Sequence, residues 1–199
     1  MAYRETDLVR QRKVAQKSGL LHTAEALVRE GGFAALTIQA VAEGAGIGVG
    51  TVYRYFSGKD ELATEVFKRA TSREVSAVRE ALNGGGGPAA CLATAVEVFA
   101  VRAFAAPKLA WALIAEPVDP AVDIARLQYR KTYTALFETV VQNGIVSGEF
   151  APQSAALSAA ALVGAMAESL LGPLDSPVCD ADTIAALRLF CLRAVGARC

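Results

Sequence analysis

The sequence predicts an all-α protein, on three observations. Alanine and leucine recur throughout, while β-branched residues rarely run together, a composition that favours helix over sheet. Apolar residues return at helical spacing, as in Leu20, Leu21, Ala24, Leu27 and Val28, which marks a helix with a buried face. Glycines and prolines fall between these stretches and punctuate them. No period-two alternation lasts long enough to specify a strand.

The elements follow in order. A first helix is expected from about Asp7 to Glu30, stopped at Gly31-Gly32 because glycine tolerates the left-handed stop. Phe33 and Leu36 anchor a short turn. Thr37 is a good N-cap, since its hydroxyl can accept a backbone N–H of the next turn. A short helix is expected from about Ile38 to Gly44, then a tight turn at Gly46, then a third helix from about Val49 to Tyr55. Ser57–Asp60 reads as a turn and cap, and Glu61 opens a longer helix to about Leu82, with Leu62, Val66 and Phe67 inward. Asn83–Pro88 contains four glycines and is the clearest break in the chain. Further helices are expected near Ala89–Ala105, Pro107–Ala115, Pro120–Gly144, Pro152–Leu171 and Asp182–Ala197, about nine helices in all.

The chain has 199 residues, enough for a sizeable core, and 53% of them are hydrophobic. Lys plus Arg and Asp plus Glu both total 20, so net charge does not announce a nucleic-acid partner. Arg4, Arg10, Arg12, Lys13 and Lys17 nevertheless crowd the beginning against Glu5 and Asp7. Such a cluster suits phosphates, or else a solvated helix start. The cysteines, Cys91, Cys179, Cys191 and Cys199, form no C-x-x-C, and His22 is the one histidine. No metal site, cofactor or catalytic constellation is expected. The polar opening is unlike a signal peptide, and the uncharged stretch Phe150–Ala167 is short and weakly apolar for a span. A soluble cytoplasmic protein with no membrane partner is the expectation.

The segment LTIQAVAEGAGIGVGTVYRYFSGK, Leu36–Lys59, places two short helices about a glycine turn, the helix-turn-helix arrangement. Ala42 allows close helix approach and Gly46 a positive φ. Val41, Ile47 and Val52 close a small core behind the second helix. These residues resemble the N-terminal domain of the TetR family of transcriptional regulators. The resemblance rests on Thr37, Val41-Ala42-Glu43, Ala45-Gly46-Ile47, Gly50-Thr51-Val52-Tyr53-Arg54-Tyr55-Phe56 and Lys59-Asp60-Glu61-Leu62. It covers roughly residues 15–67.

The resemblance implies roles position by position. Thr37 matches a phosphate-contacting cap, and Gln39 a position that reaches a base edge. Val49, Gly50 and Thr51 begin the recognition helix, whose N-terminal end enters the major groove. Tyr53, Tyr55 and Lys59 match phosphate binders. Gly48 stands where a capping serine is usual. With Gly48 and Gly50 offering no side chain, Arg54 is the best candidate for a guanine or phosphate contact. A solvated surface is the alternative for Gln39 and Arg54.

The resemblance also implies a helix-turn-helix domain over 8–67 and a larger helical effector-binding and dimerisation domain over 68–199. Small residues along Pro152–Leu171 permit close approach of a second copy. Leu157, Ala161, Gly164, Ala165 and Glu168, with Ile184, Leu187 and Cys191 of the last helix, are the candidate dimer interface. Phe99, Phe104, Trp111, Tyr129, Tyr133 and Phe137 are candidates to line an effector pocket, or else plain core. Glu97 and Arg102 interrupt an apolar helix and read as exposed surface charges. The expected protein is a repressor that binds a palindromic double-stranded DNA operator as a homodimer and responds to a small, largely apolar effector. An architectural DNA-binding protein without an effector, or a helical enzyme, is the alternative.

Overall fold

The computed structural model describes residues 7–175 and 181–197; Arg4, Glu5, Pro177, Cys179 and Cys199 lie outside them. The described residues form nine α-helices and two single-turn 3-10 segments. The helices are α1 Asp7–Gly31, α2 Ile38–Gly44, α3 Val49–Val52, α4 Lys59–Leu82, α5 Pro88–Ala105, α6 Pro107–Ile114, α7 Pro120–Ser147, α8 Ala155–Leu171 and α9 Ala181–Ala194. The 3-10 turns are Phe33–Ala35 and Pro173–Asp175.

Helix ends follow local chemistry. The Thr37 hydroxyl accepts the Ala40 N–H at 3.0 Å and starts α2. The Asp119 carboxylate accepts the Ala121 N–H at 2.9 Å and starts α7. Gly148, at φ +76°, stops that helix in the left-handed conformation. α8 begins at Ala155 rather than Pro152, because the Ser154 hydroxyl takes the cap position and accepts the Leu157 N–H at 3.4 Å. α3 ends at Val52 rather than Tyr55. The N–H groups of Arg54 and Tyr55 donate to Thr51 and Val52, three residues back, which tightens the coil into turns.

Two apolar clusters organise the packing. The first joins Leu20, Ala24 and Val28 of α1 to Phe33, Leu36, Val41, Val52 and Phe56, and to Leu62, Val66 and Phe67 of α4. α6 adds Leu109 and Ala112, and α7 adds Val122. The small N-terminal bundle therefore closes with side chains from the larger part. The second cluster is built around α5, whose Leu92, Ala95, Val96 and Ala100 are buried among α4, α7, α8 and α9. α5 has the length and composition of a membrane span. Its burial inside the bundle explains that composition, since a helix packed on several sides is apolar on several sides.

The closest approach in this core is at Gly144, where the α7 backbone lies against the buried Phe150 ring. A Cβ at Gly144 would fall 2.1 Å from that ring. Gly144→Ala should lower the urea-unfolding free energy by about 2 kcal/mol, because the packed ring must move to admit the methyl group.

Candidate nucleic-acid interface and effector cavity

α2 and α3 are set by the core behind them. Val41 and Ala42 are buried, Gly46 turns the chain at φ +65°, and the Ile47 N–H donates to Ala42 O at 2.9 Å. Val52 and Phe56 fix α3 from behind with no more than 1% exposure. The opposite side faces solvent: Gly48, Val49, Gly50, Tyr53 and Arg54 are exposed, as are Thr37, Gln39 and Lys59. Neither Arg54 nor Lys59 is ion-paired among the described residues, so both cations are open to a phosphate. The Gln39 amide donates to Glu43 Oε1 at 3.2 Å.

Two of the ten residues differ in placement. Thr51 is half-buried. Tyr55 is half-buried too, packs against the first cluster, and its hydroxyl donates to Gln16 Oε1 at 2.8 Å. The turn before Lys59 is held by Glu61, whose Oε2 accepts from the Ser57 N–H at 2.7 Å and the Ser57 hydroxyl at 2.8 Å. Those bonds hold the Glu61 carboxyl below its ordinary pKa. On α1, the Lys17 ammonium lies 5.2 Å from the Phe56 ring centroid.

Glu116, absent from the sequence expectations, is 4% exposed and ties this unit to α6. Its carboxylate accepts the Phe33 N–H at 2.7 Å and the Ala34 N–H at 3.0 Å. Gly32, at φ +70°, makes room: a Cβ there would stand 2.8 Å from Glu116 Oε2. Arg126 of α7 holds the far end of α6. Its guanidinium donates to the carbonyls of Leu113 at 3.1 Å, Ala112 at 3.2 Å and Glu116 at 2.8 Å, and pairs with Asp123. It also lies 5.9 Å from the Phe67 ring centroid. Burial lowers its pKa.

Beside these residues is a cavity of about 200 Å³, bounded by α4 to α8 and reached by Arg29 of α1. Phe99, Tyr129, Tyr133 and Phe137 line it; Phe104 and Trp111 do not. The reason is helical phase. On α5 the lining residues are Phe99, Arg102 and Ala103, with Ala105 at the helix end, and on α6 they are Leu109, Ala110, Leu113 and Ile114. Phe104 and Trp111 are each rotated about 100° from the residue before them, away from the space. Phe104 packs on the second cluster, and Trp111 is 38% exposed.

Arg102 is exposed, as expected, but it is also part of the cavity wall. It donates Nε to Glu74 Oε2 at 2.6 Å and Nη2 to Glu74 Oε1 at 2.9 Å. That pairing raises its pKa. Glu97 does lie on the surface, 3.5 Å from Arg188.

The interface candidates on α9 also need correction. Leu187 is 5% exposed and Cys191 0%, because their stripe packs inward on α5; Ile184 is partly buried against the same cluster. Burial pushes the Cys191 thiol up to about 12. The outward stripe of α9 instead carries Leu189 and Phe190. On α8, Leu157, Ala161, Gly164 and Glu168 are exposed and Ala165 is half-buried.

Residues 20–66 match the model of "Bacterial regulatory proteins, tetR family". That segment, from α1 to α4, carries the DNA-binding domain of that family. The chain is 34% identical over 82 residues to the HTH-type transcriptional repressor KstR of Mycolicibacterium smegmatis, a stretch covering 41% of this chain and 40% of that one. The chain spans about 40% of the length of the curated relative that it matches. Two solved structures share the fold along most of their length. A TetR transcription regulator from Haloarcula marismortui aligns with a TM-score of 0.77 at 21% identity, over 92% of this chain and 97% of its own. The regulator FadR from Bacillus subtilis, in complex with stearoyl-CoA, aligns with a TM-score of 0.76 at 18% identity, over 92% and 99%.

Lys59→Ala should weaken DNA binding about equally across sequences and reduce the slope of log affinity against log salt by about 1, measured by fluorescence anisotropy. An unchanged slope would remove Lys59 from the phosphate contacts.

Proposed function

We propose that this protein is a transcriptional repressor that binds a palindromic operator as a homodimer and is released from it by a small, largely apolar effector. The observation that carries the proposal is the continuity between cavity and reading surface. Arg126 lines the cavity and holds the end of α6. The next bond in the path, from Glu116, grips the turn that leads into α2. A ligand that displaces Arg126 or α6 therefore disturbs the seat of α3, which is a physical route for coupling.

Residues 8–67 act as the reading domain and 68–199 as the effector and dimerisation domain, in the cytoplasm where the DNA is. Thr37, Gln39, Tyr53, Arg54, Tyr55 and Lys59 contact phosphate or base edges, and Gly48–Thr51 present the helix end. Tyr55 acts while braced by Gln16. The apolar lining suits an apolar effector, and the FadR complex with stearoyl-CoA is a precedent on the same fold.

The partner copy sits on the outward faces of α8 and α9. Leu157 is 71% exposed and Phe190 53%. Small residues flank Leu157 along α8 and allow a second helix to approach closely. Leu157→Glu should convert a dimer to a helical monomer in analytical ultracentrifugation, with unchanged circular dichroism. A persisting dimer would place the interface elsewhere.

A further inference from the structure

Two hydroxyl groups lining the cavity have no hydrogen-bond partner among the described residues. Thr71 of α4 is 6% exposed and lines the cavity, yet its Oγ1 is out of water without a hydrogen-bond partner. A helical threonine usually turns its hydroxyl to a carbonyl one turn back. Thr94, Thr132, Thr134 and Thr139 all do so here. Tyr133 of α7 holds its ring edge-on to Phe99, with centroids 6.1 Å apart. Its hydroxyl makes no hydrogen bond among the described residues, and burial raises its pKa. Tyr129, one turn earlier, differs: its hydroxyl is engaged by Ser72 at 2.6 Å and Lys68 O at 3.1 Å.

Unpaired buried polar groups cost stability and are uncommon in native proteins. Thr71 is one such group, and the half-buried Tyr133, whose hydroxyl is open to the cavity and has no hydrogen-bond partner among the described residues, lines the same space. The charges next to Tyr133 are those of the Arg102–Glu74 pair, in which Arg102 spends both faces of its fork on Glu74; Arg29, Arg126 and Arg130 also line the cavity. An anion placed against Tyr133 would meet the Glu74 carboxylate and find the adjacent Arg102 engaged.

The geometry points to an oxygen-recognition subsite, in which Thr71 and Tyr133 hydrogen-bond a neutral ketone or hydroxyl oxygen on the apolar body of the effector. Both side chains can donate, and a ketone oxygen has two lone pairs to accept them. Phe67, Phe99, Leu113, Phe137 and Met166 surround the alkyl remainder. The subsite rests on the effector reading above and narrows it: a plain alkyl chain leaves both hydroxyls unpaired, and an oxygenated one satisfies them.

The test uses the full chain and two probes of one shape, 2-decanone and 2-methyldec-1-ene, in which a methylene replaces the oxygen. Isothermal titration calorimetry should show the ketone binding about tenfold tighter. Thr71→Val and Tyr133→Phe should each remove most of that preference while leaving affinity for the alkene unchanged. Thr71→Val should also leave the urea midpoint of the free protein level or raised, since it deletes an unpaired hydroxyl. Equal affinity for both probes overturns the subsite and leaves an apolar effector standing. Failure of both probes to bind overturns the subsite and the effector reading together. A lowered midpoint for Thr71→Val makes the hydroxyl a structural one and overturns the proposal.

Discussion

A single buried carboxylate fastens the reading head to the rest of the molecule. Glu116 tolerates its burial because both of its oxygens accept peptide N–H groups, from Phe33 and Ala34. The same pairing fixes the turn between α1 and α2, and so the direction in which α2 and α3 are presented. Gly32 is required at this spot, because any Cβ would occupy the space of the carboxylate. On the other side, Arg126 gathers the carbonyls at the end of α6. The chain of polar contacts from cavity wall to DNA face is thus short, and each link is made by groups that cannot be left unpaired without cost. A packed assembly of this kind shifts between discrete arrangements rather than bending continuously.

The reading surface itself is sparse. α3 is a single turn with glycine before it and within it, so few side chains stand ready to touch bases. Tyr53, Arg54 and Lys59 surround it with an aromatic and two cations open to solvent. Binding of this type draws much of its strength from phosphates, with sequence read by few contacts and by the shape of the duplex. Neutral overall charge is no obstacle, because a phosphate meets local cations, and Arg54 and Lys59 stand exposed beside α3 with no ion-pair partner among the described residues.

Local features were the most legible in the sequence. The bounds of α2 follow from the Thr37 cap and the glycines after it, and the prolines mark other ends, whereas α7 runs past the expected Gly144 to Ser147 and stops at Gly148. The end of α3 was misjudged because the chain continues past Val52 in tightened turns, which leave the same apolar spacing as a helix. The cavity was half legible: Phe99, Tyr129, Tyr133 and Phe137 fall at helical spacing, while Phe104 and Trp111 share their residue types but not their phase. Glu116 gave no local sign, since its partners lie more than eighty residues away along the chain. The pairing of Arg102 was hidden for the same reason, its partner Glu74 being on another helix. On α9, two apolar stripes look alike in sequence. Burial alone distinguishes Leu187 and Cys191, which face the protomer's own core, from Leu189 and Phe190, which face outward.

The central claim is that α3 works in pairs, one from each of two protomers, on a single duplex. Selection of bound fragments from random DNA by the full chain tests it most directly. The account predicts enrichment of an inverted repeat whose half-sites are centred about one helical turn apart, ~34–36 Å, or a multiple of it. Recovery of a single unrepeated site, or of no preferred sequence at all, would contradict it.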